Sequence, residues 1–221
     1  MSTSAKMALL EGYVLVARAL SAPARLMLLE QLAQQESGVE ALAEKTGLTI
    51  ANCSQHLQQL RRAALVTSRR DGKAMIYRLT DAKTIELMDL LRVVAERNLA
   101  QVDRILRDIW NGEDAPKPVS RAELAERLAE GSVIVLDVRP ADEYAAAHIP
   151  NAVNTTLSDL DQLLPVLATD VDIVAYCRGP YCIYAHQAVA ALRKQGFQAH
   201  HLEGGLPEWR AEGRDIQIGV T

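Results

Sequence analysis

The spacing of hydrophobic positions changes along the chain. Through residue 110, apolar residues recur at the three- and four-residue intervals of amphipathic helices. The segment from Leu65 to Leu79 differs, because two strand-like runs flank Asp71-Gly72, a dipeptide that favours a tight hairpin turn. The pattern therefore predicts a mainly helical first part with one β-hairpin.

After residue 119 the predicted helices and strands alternate. The pattern predicts helices at 121–130, 157–167 and 183–195 and strands at 133–138, 172–176 and 198–202. This alternation predicts a parallel sheet with helices on its faces. Between the two parts, Asn111 to Val119 combines a helix stop, acidic residues and two prolines, which is typical of a connector. We therefore predict a helical domain over 1–112, a linker at 113–119 and an α/β domain over 120–221.

Net charge differs between the two parts. Through Trp110 there are 15 Lys and Arg against 12 Asp and Glu, a net charge of +3, whereas the remainder has 9 against 16, a net charge of −7. A basic first half joined to an acidic second half suits a nucleic-acid-binding module that carries a separate domain away from the polyanion.

The sequence shows no secretory leader and no apolar stretch long enough to span a bilayer. Its three cysteines are too few, and odd in number, for a disulfide framework, which points to a reducing compartment. We therefore expect a cytoplasmic protein without a membrane partner, whose thiols are catalytic, sensory or simply apolar.

Val39 to Leu60 has the spacing of a helix-turn-helix. An amphipathic helix leads into a glycine-containing turn, and Thr49 then caps a second helix. On that second helix Cys53, Leu57 and Leu60 recur at i, i+4 and i+7, so they face the core. The polar residues left to face outward are Thr49, Asn52, Ser54, Gln55 and His56. Short polar side chains of this kind contact base edges and phosphates.

Positive charge continues into the hairpin, where Arg69, Arg70 and Lys73 are assigned to phosphate contacts. The run from Val14 to Leu79, including Leu20-Ser-Ala-Pro-Ala-Arg25, closely resembles the winged helix-turn-helix repressors of the ArsR family. The resemblance implies a homodimer joined by its first and last helices, which would bind an inverted repeat in double-stranded DNA. Apolar stripes on one long helix predicted from Thr84 to Trp110 agree with such a pairing.

The sequence departs from the metal-sensing members of that family. Gly38 to Leu42, where their cysteine-bearing helix falls, contains no Cys or His, and no His occurs from Thr84 to Trp110. We therefore expect neither a metal nor a cofactor. Cys53 occupies a core position, where we expect it to act as a small apolar residue rather than as a sensor.

A candidate reactive thiol lies in the second part. Val174 to Cys182 predicts a buried strand, a tight loop and a helix start, with Cys177 and Cys182 at the two ends of the loop. Backbone N–H groups and a helix start stabilise a thiolate and lower its pKa below the usual value of about 8.5. Pro180, within the loop, has no N–H to contribute.

The segments Leu136 to Ala152 and Leu202 to Gly213, with the cysteine between them, resemble the signatures of rhodanese domains over Ser120 to Thr221. The resemblance implies that Cys177 takes sulfane sulfur from a donor as a persulfide and passes it to a thiol. Arg178 is predicted to bind an anionic sulfur donor. Structural roles near the loop, as an ion pair and hydrogen bonds, are assigned to Asp137, Arg139, Glu143 and His148.

The loop departs from the usual rhodanese pattern, which carries its glycine one position later and often an arginine near its end. Gly179, Pro180 and Cys182 stand there instead, which weakens the expectation of thiosulfate turnover. Rhodanese-fold phosphatases and arsenate reductases need an arginine at the position of Ile183, so oxyanion chemistry is disfavoured.

Three interpretations of Cys182 stay open. It is a small apolar residue that begins the helix, a thiol that resolves a persulfide on Cys177, or a metal ligand together with His186. We favour the resolving thiol because the two cysteines bracket one tight loop, whereas zinc would need two more ligands.

Three functions fit these observations. The one we favour is a repressor that binds DNA through its first domain and senses reactive sulfur through Cys177. The second is a sulfurtransferase enzyme whose DNA-binding module locates it or controls its own expression. The third is a regulator whose second domain is only a scaffold for dimers or partners.

Overall fold

The computed structural model describes residues 3–109, 117–168, 170–180 and 182–219. The chain divides into two compact units, Met1–Met88 and Asp89–Thr221. This division falls inside a helix, and the linker predicted at 113–119 is described only at 117–119. The domain boundaries drawn from the sequence therefore stay predictions.

The first unit combines helices with a small antiparallel sheet. Its helices are α1 (Thr3–Leu20), α2 (Pro23–Gln34), α3 (Val39–Thr46) and α4 (Ile50–Arg62), and its strands are β1 (Ser37–Gly38), β2 (Val66–Asp71) and β3 (Ala74–Leu79). Strand β3 lies between β1 and β2. The turn from β2 to β3 uses Gly72 at φ +60°, a left-handed conformation that glycine adopts without strain. The predicted winged helix-turn-helix fold is confirmed.

The turn between α3 and α4 is built as the sequence predicted. Gly47 ends α3 in the left-handed conformation, at φ +68°. Thr49 begins α4, and its hydroxyl accepts a hydrogen bond from the Asn52 N–H at 3.3 Å. The core face of α4 carries Cys53, Leu57 and Leu60, which have no exposed surface and pack in one cluster with Leu28, Leu29 and Leu42.

The prediction of a single long helix from Thr84 to Trp110 is wrong. The structure has two helices, α5 (Lys83–Asn98) and α6 (Ala100–Ile109), and Trp110 lies outside the described residues. At the break, the Asn98 side-chain amide donates to the Val94 carbonyl oxygen at 2.8 Å. A side chain that competes in this way for a backbone acceptor favours a helix end.

The second unit is an α/β domain on a parallel sheet, as predicted. Its strands are β4 (Val133–Asp137), β5 (Val153–Asn154), β6 (Asp172–Tyr176) and β7 (Ala199–His201), in the order β5-β4-β6-β7. Its helices are α7 (Arg121–Glu130), α8 (Ala141–Ala146), α9 (Leu160–Leu163), α10 (Ile183–Lys194) and α11 (Leu206–Ala211). The helix predicted at 157–167 is shorter, because Pro165 has no N–H to continue α9, and a 3-10 turn over Leu164–Val166 follows.

Both faces of the parallel sheet are covered. Val135, Val174 and Tyr176 pack with Leu124 and Trp209 on one side, and Leu136, Ile173 and Ala175 pack with Ala188 and Leu192 on the other. Every residue of β6 after the first is therefore buried. The carboxyl end of this buried strand leads directly to Cys177.

Candidate cysteine loop and nucleic-acid interface

Cys177 follows β6 and is 1% exposed. The chain then turns through a loop that ends at Cys182, and α10 begins at the next residue. A disulfide joins Cys177 to Cys182 across a Cα–Cα distance of 6.0 Å. That distance lies in the range that disulfides normally span, so the loop brings the two sulfur atoms together without moving its ends.

Fewer loop N–H groups are available to hold a terminal sulfur anion on Cys177 than the sequence suggested. The Cys182 N–H donates to the Gly179 carbonyl oxygen at 3.1 Å. Pro180 has no N–H, and Tyr181 lies outside the described residues. In this disulfide form, the Cys182 N–H, one of the groups expected to hold a terminal sulfur anion, is therefore engaged within the loop.

Arg178 is held by a buried carboxylate. Its Nε donates to Glu143 Oε2 at 2.8 Å and its Nη2 donates to Oε1 at 2.7 Å. The Glu143 side chain is 1% exposed, whereas that of Arg178 is 29% exposed. These hydrogen bonds to Glu143 raise the pKa of the guanidinium, which stays charged. Arg178 thus anchors the loop to α8, and its assignment to an anionic donor stays a prediction.

A buried ion pair lies at the end of the neighbouring strand. Arg139 Nε donates to Asp137 Oδ1 at 2.9 Å and Nη2 donates to Oδ2 at 2.6 Å, and neither side chain has exposed surface. The Tyr176 hydroxyl donates to Asp137 Oδ2 at 2.6 Å. Burial raises the pKa of this hydroxyl well above its usual value, so it stays a donor. Because Tyr176 directly precedes Cys177, the pair fixes the strand end that carries the thiol.

His148 lies in the same buried layer. Its Nδ1 is 2.9 Å from the Tyr144 carbonyl oxygen, and its ring stacks on the Tyr144 ring with centroids 3.8 Å apart. The Tyr144 hydroxyl in turn donates to the Ala152 carbonyl oxygen at 2.8 Å. These contacts tie α8 to the segment that enters β5, and the structural role assigned to His148 stays a prediction.

The turn before α11 packs directly against the cysteine loop. A Cβ atom at Gly205 would lie 2.5 Å from the Cys177 carbonyl oxygen and 2.6 Å from the Gly179 nitrogen. Only glycine allows so close an approach. The Glu208 carboxylate accepts a hydrogen bond from the Gly205 N–H at 2.8 Å, and burial raises the pKa of Glu208. The Gly204-Gly205 pair was the available sign of this contact, whereas nothing in the sequence singled out Glu208.

Helix α10 and strand β7 bring two imidazoles together near the loop. The ring centroids of His186 and His201 are 4.2 Å apart, and His186 also hydrogen-bonds the Pro180 carbonyl oxygen. Burial lowers the pKa of His186, and burial with the neighbouring histidines lowers the pKa of His201 to about 4. Among the described residues, no group of three or more His, Cys, Asp or Glu side chains is arranged to hold a metal.

The predicted base-contacting residues of α4 differ in exposure. Asn52 and Gln55 are exposed, Ser54 and His56 are half-buried, and the Thr49 hydroxyl is occupied as the helix cap. The exposed surface of α4 also includes Ala51, Gln58, Arg61 and Arg62. Gln55, Gln58 and Arg62 recur at i, i+3 and i+7 and so share one face. The same periodicity could have added Gln58 to the candidates.

The three cationic residues of the hairpin are all exposed. Arg69 contacts two carboxylates, with Nη2 2.5 Å from Glu36 Oε1 and Nη1 3.0 Å from Asp71 Oδ2. Arg70 Nε donates to the Gly72 carbonyl oxygen at 3.0 Å. The hairpin thus places positive charge where the sequence predicted it, but part of this charge is paired.

Large apolar side chains are exposed on α1 and α5. They include Met7, Leu9, Leu10, Tyr13, Val14 and Leu15 on α1, and Leu90, Leu91, Val93 and Val94 on α5. A monomer rarely leaves so many apolar side chains in water. Within the described ranges, no single helix is long and apolar enough to cross a membrane, although α1 and α2, bent by 87° at their junction, would pass that test jointly.

Comparisons with known proteins match each half separately, and one relative matches nearly the whole chain. A helix-turn-helix domain model matches residues 20–69, and the rhodanese-like domain model matches residues 120–212. The HTH-type transcriptional regulator Rv0324 of Mycobacterium tuberculosis is 41% identical over 216 residues, which cover 97% of this chain and 94% of the relative.

Two solved structures resemble one half each. A homodimeric winged helix-turn-helix DNA-binding domain from Mycobacterium bovis is 37% identical, with a TM-score of 0.42, and the match covers 46% of this chain and 94% of that one. A rhodanese-related protein from Thermoplasma volcanium is 26% identical, with a TM-score of 0.42, and the match covers 47% and 99%. From the full-length relative and the two domain matches, this chain belongs to the HTH-type transcriptional regulators that join an ArsR-type winged helix-turn-helix domain to a C-terminal rhodanese domain.

Proposed function

We propose that the protein is a dimeric transcription regulator that releases or binds its operator according to the sulfur chemistry of Cys177. The observation that carries the proposal is the loop itself, where two cysteines 6.0 Å apart at Cα are joined in a chain that also has a winged helix-turn-helix. When a sulfane sulfur donor reacts with such a pair of thiols, the resulting persulfide or disulfide changes the shape of the loop.

The chemistry needs only a sulfane sulfur donor, such as a persulfide R–S–SH. The Cys177 thiolate attacks the outer sulfur, the donor S–S bond breaks, and R–S⁻ leaves while Cys177 becomes a persulfide. The Cys182 thiolate then attacks Sγ of Cys177, and the persulfide S–S bond breaks with loss of HS⁻. The product is the Cys177–Cys182 disulfide, so the donor sulfur is reduced while the two thiols are oxidised.

The sulfur switch acts on DNA only if the two loop states differ in their coupling to the DNA-binding half. A coupling free energy of about 1 to 3 kcal/mol would change operator affinity by roughly 5- to 150-fold. We expect the persulfide or disulfide form to bind DNA more weakly, as for a repressor that is released by its inducer.

The exposed apolar residues of α1 and α5 support a homodimer. Two-fold symmetry would then place two α4 helices in major grooves about one helical turn apart, on an inverted repeat. We expect sedimentation of the full chain at micromolar concentration to give a dimer. A monomer at that concentration would contradict the dimer and, with it, binding to an inverted repeat.

The deciding experiment measures intact mass and operator affinity on one sample before and after an inorganic polysulfide is added. We expect affinity to fall in the native protein, Cys177→Ser to bind DNA normally without any response, and Cys182→Ser to keep an open persulfide with a weakened response. Cys53→Ala is the matched control, because Cys53 is buried in the first unit and should leave the response in place. A Cys177→Ser protein that still releases DNA would disprove the sensor.

The second candidate is a sulfurtransferase, favoured by the rhodanese-like match and by the placement of Cys177 at a strand end. Sustained turnover of thiosulfate or 3-mercaptopyruvate, with no change of operator affinity on persulfidation, would support the enzyme over the sensor. The sensor is favoured because the loop departs from the usual rhodanese pattern at Gly179, Pro180 and Cys182, which weakens the expectation of thiosulfate turnover.

A further inference from the structure

The outer face of the hairpin is charge-balanced. Pairing between β2 and β3 sets Arg69 opposite Ile76 and Thr67 opposite Arg78, while Tyr77 on the other face is buried. Arg69 and Arg78 therefore lie on the solvent side, where Glu36 and Asp71 supply two negative charges. An electrically neutral face is unexpected on a surface assigned to a polyanion.

The backbone holds Glu36 in place beside Arg69. Gly38 on β1 lies opposite Ile76, the same residue that Arg69 faces from β2, and Glu36 is two positions before Gly38. Glu36 lies directly before β1, and its contact with Arg69 places its carboxylate on the outer side. Gly38 has no side chain to intervene; a Cβ there would meet only Ile76 Cδ1 at 3.6 Å and the Met75 carbonyl oxygen at 4.0 Å.

Arg69 is the point at which this face would meet phosphate. Its two contacts leave its side chain 51% exposed, and that of Glu36 is 43% exposed. The hydrogen bond from Arg69 lowers the pKa of Glu36, so the carboxylate is charged at neutral pH. An exposed pair of this kind is held weakly and exchanges its partner readily.

We propose that Glu36 restrains DNA binding by competing with backbone phosphate for Arg69. The inference rests on the proposed function, in which the hairpin contacts DNA. Each arginine that neutralises a phosphate releases a counterion and adds affinity without regard to sequence. A carboxylate that occupies Arg69 therefore suppresses sequence-independent binding, while the base contacts of α4 are untouched. Glu36 is in this sense a specificity-determining residue that does not contact a base.

The test uses the full-length reduced protein and two duplexes of equal length, one selected by the native protein from random sequence and one of mixed sequence. Glu36→Gln is compared with Glu40→Gln, which removes the same charge from an exposed position on α3 where the described residues form no ion pair with it. Both changes are repeated in an Arg69→Ala background, and each affinity is measured across a salt series.

We expect Glu36→Gln to raise affinity for the mixed-sequence duplex by about 3- to 10-fold, and to steepen the salt dependence by about one unit of slope for each hairpin bound. Glu40→Gln should change affinity by less than about twofold, in line with a charge that screening weakens. In the Arg69→Ala background the effect of Glu36→Gln should disappear.

Equal gains from Glu36→Gln and Glu40→Gln would overturn the proposal, because general charge would then explain both. A gain that persists without Arg69 would overturn it as well. If the native protein selects no duplex at all, the proposed function fails, and that result is distinct from either of these two. Thermal unfolding of each variant confirms that the fold is retained.

Discussion

The two halves of this protein use arginine–carboxylate pairs in opposite ways. Arg69 and Glu36 meet beside the exposed hairpin, where water and ions compete with them. The side chains of Arg139 and Asp137 instead have no exposed surface, and Asp137 also accepts a hydrogen bond from the Tyr176 hydroxyl. An exposed pair can exchange its partner for a phosphate at little cost, and a buried pair cannot. Binding a polyanion needs the first arrangement, and holding a thiol at a fixed position needs the second.

The largest expected effect comes from breaking the buried pair. Arg139→Met should lower the free energy of unfolding of the second unit by about 3 to 5 kcal/mol, because the Asp137 carboxylate would stay buried without its partner. Urea unfolding followed by Trp209 fluorescence, in a Trp110→Phe background, measures this. Arg69→Met is the matched change at an exposed pair, and it should leave the urea midpoint of unfolding unchanged. Equal shifts for the two variants would contradict the contrast drawn between the pairs.

A methyl group at Gly205 should displace the cysteine loop. Gly205→Ala puts a Cβ against the Cys177 carbonyl oxygen, so the loop must move, and a shift of about 1 Å can cost on the order of 100-fold in rate. The measurement is the rate of alkylation and of persulfidation of Cys177 in the reduced protein. Gly12→Ala, where nothing lies within 4 Å of the added methyl group, is the control and should react at the native rate. Unchanged rates for Gly205→Ala would show that the turn does not position the loop.

Removing the exposed charges of the hairpin should affect DNA binding and nothing in the second unit. Changing Arg69, Arg70 and Lys73 to Ala should weaken binding to every sequence and flatten the salt dependence by about 0.9 for each phosphate that is no longer neutralised. Gln55→Ala, on the exposed face of α4, should instead relax base preference by about 1 to 3 kcal/mol. Fluorescence anisotropy across a salt series separates the two. A triple variant with native affinity and slope would exclude the hairpin from the interface.

The smallest expected effect concerns the half-buried imidazole of His201. Its pKa is about 4 in the folded chain against 6.5 for an ordinary histidine, so the unfolded chain binds the proton more readily between these values. Stability is then fully present above pH 6.5 and is lost as pH falls toward 4, with about 1 to 2 kcal/mol lost by roughly pH 5. His201→Gln should flatten this part of the stability curve, whereas Gln198→Ala, an exposed change that removes no titrating group, should not. Identical curves for the native protein and His201→Gln would contradict the assignment.

Sequence periodicity determined most of the architecture. The helix-turn-helix, the hairpin at Asp71-Gly72 and the strand that ends before Cys177 all follow from local patterns, because apolar spacing and turn residues act over a few neighbouring positions. The two cysteines were candidates for the same reason, since the loop between them is short. Local competition also explains the failure at Asn98, where one side chain ends a helix that its apolar stripe would have continued.

Only the tertiary structure decided which charges are available. Arg69 and Glu36 are 33 residues apart along the chain, Arg178 and Glu143 come from different elements, and Gly205, just before α11, reaches Cys177 after β6. No local pattern encodes these pairs, because each depends on which strands become neighbours and on which face of the sheet a residue lies. The sequence by itself therefore determined where the thiol and the positive charges stand along the chain, and the packing of distant segments decided which of them are paired, buried or open to a partner.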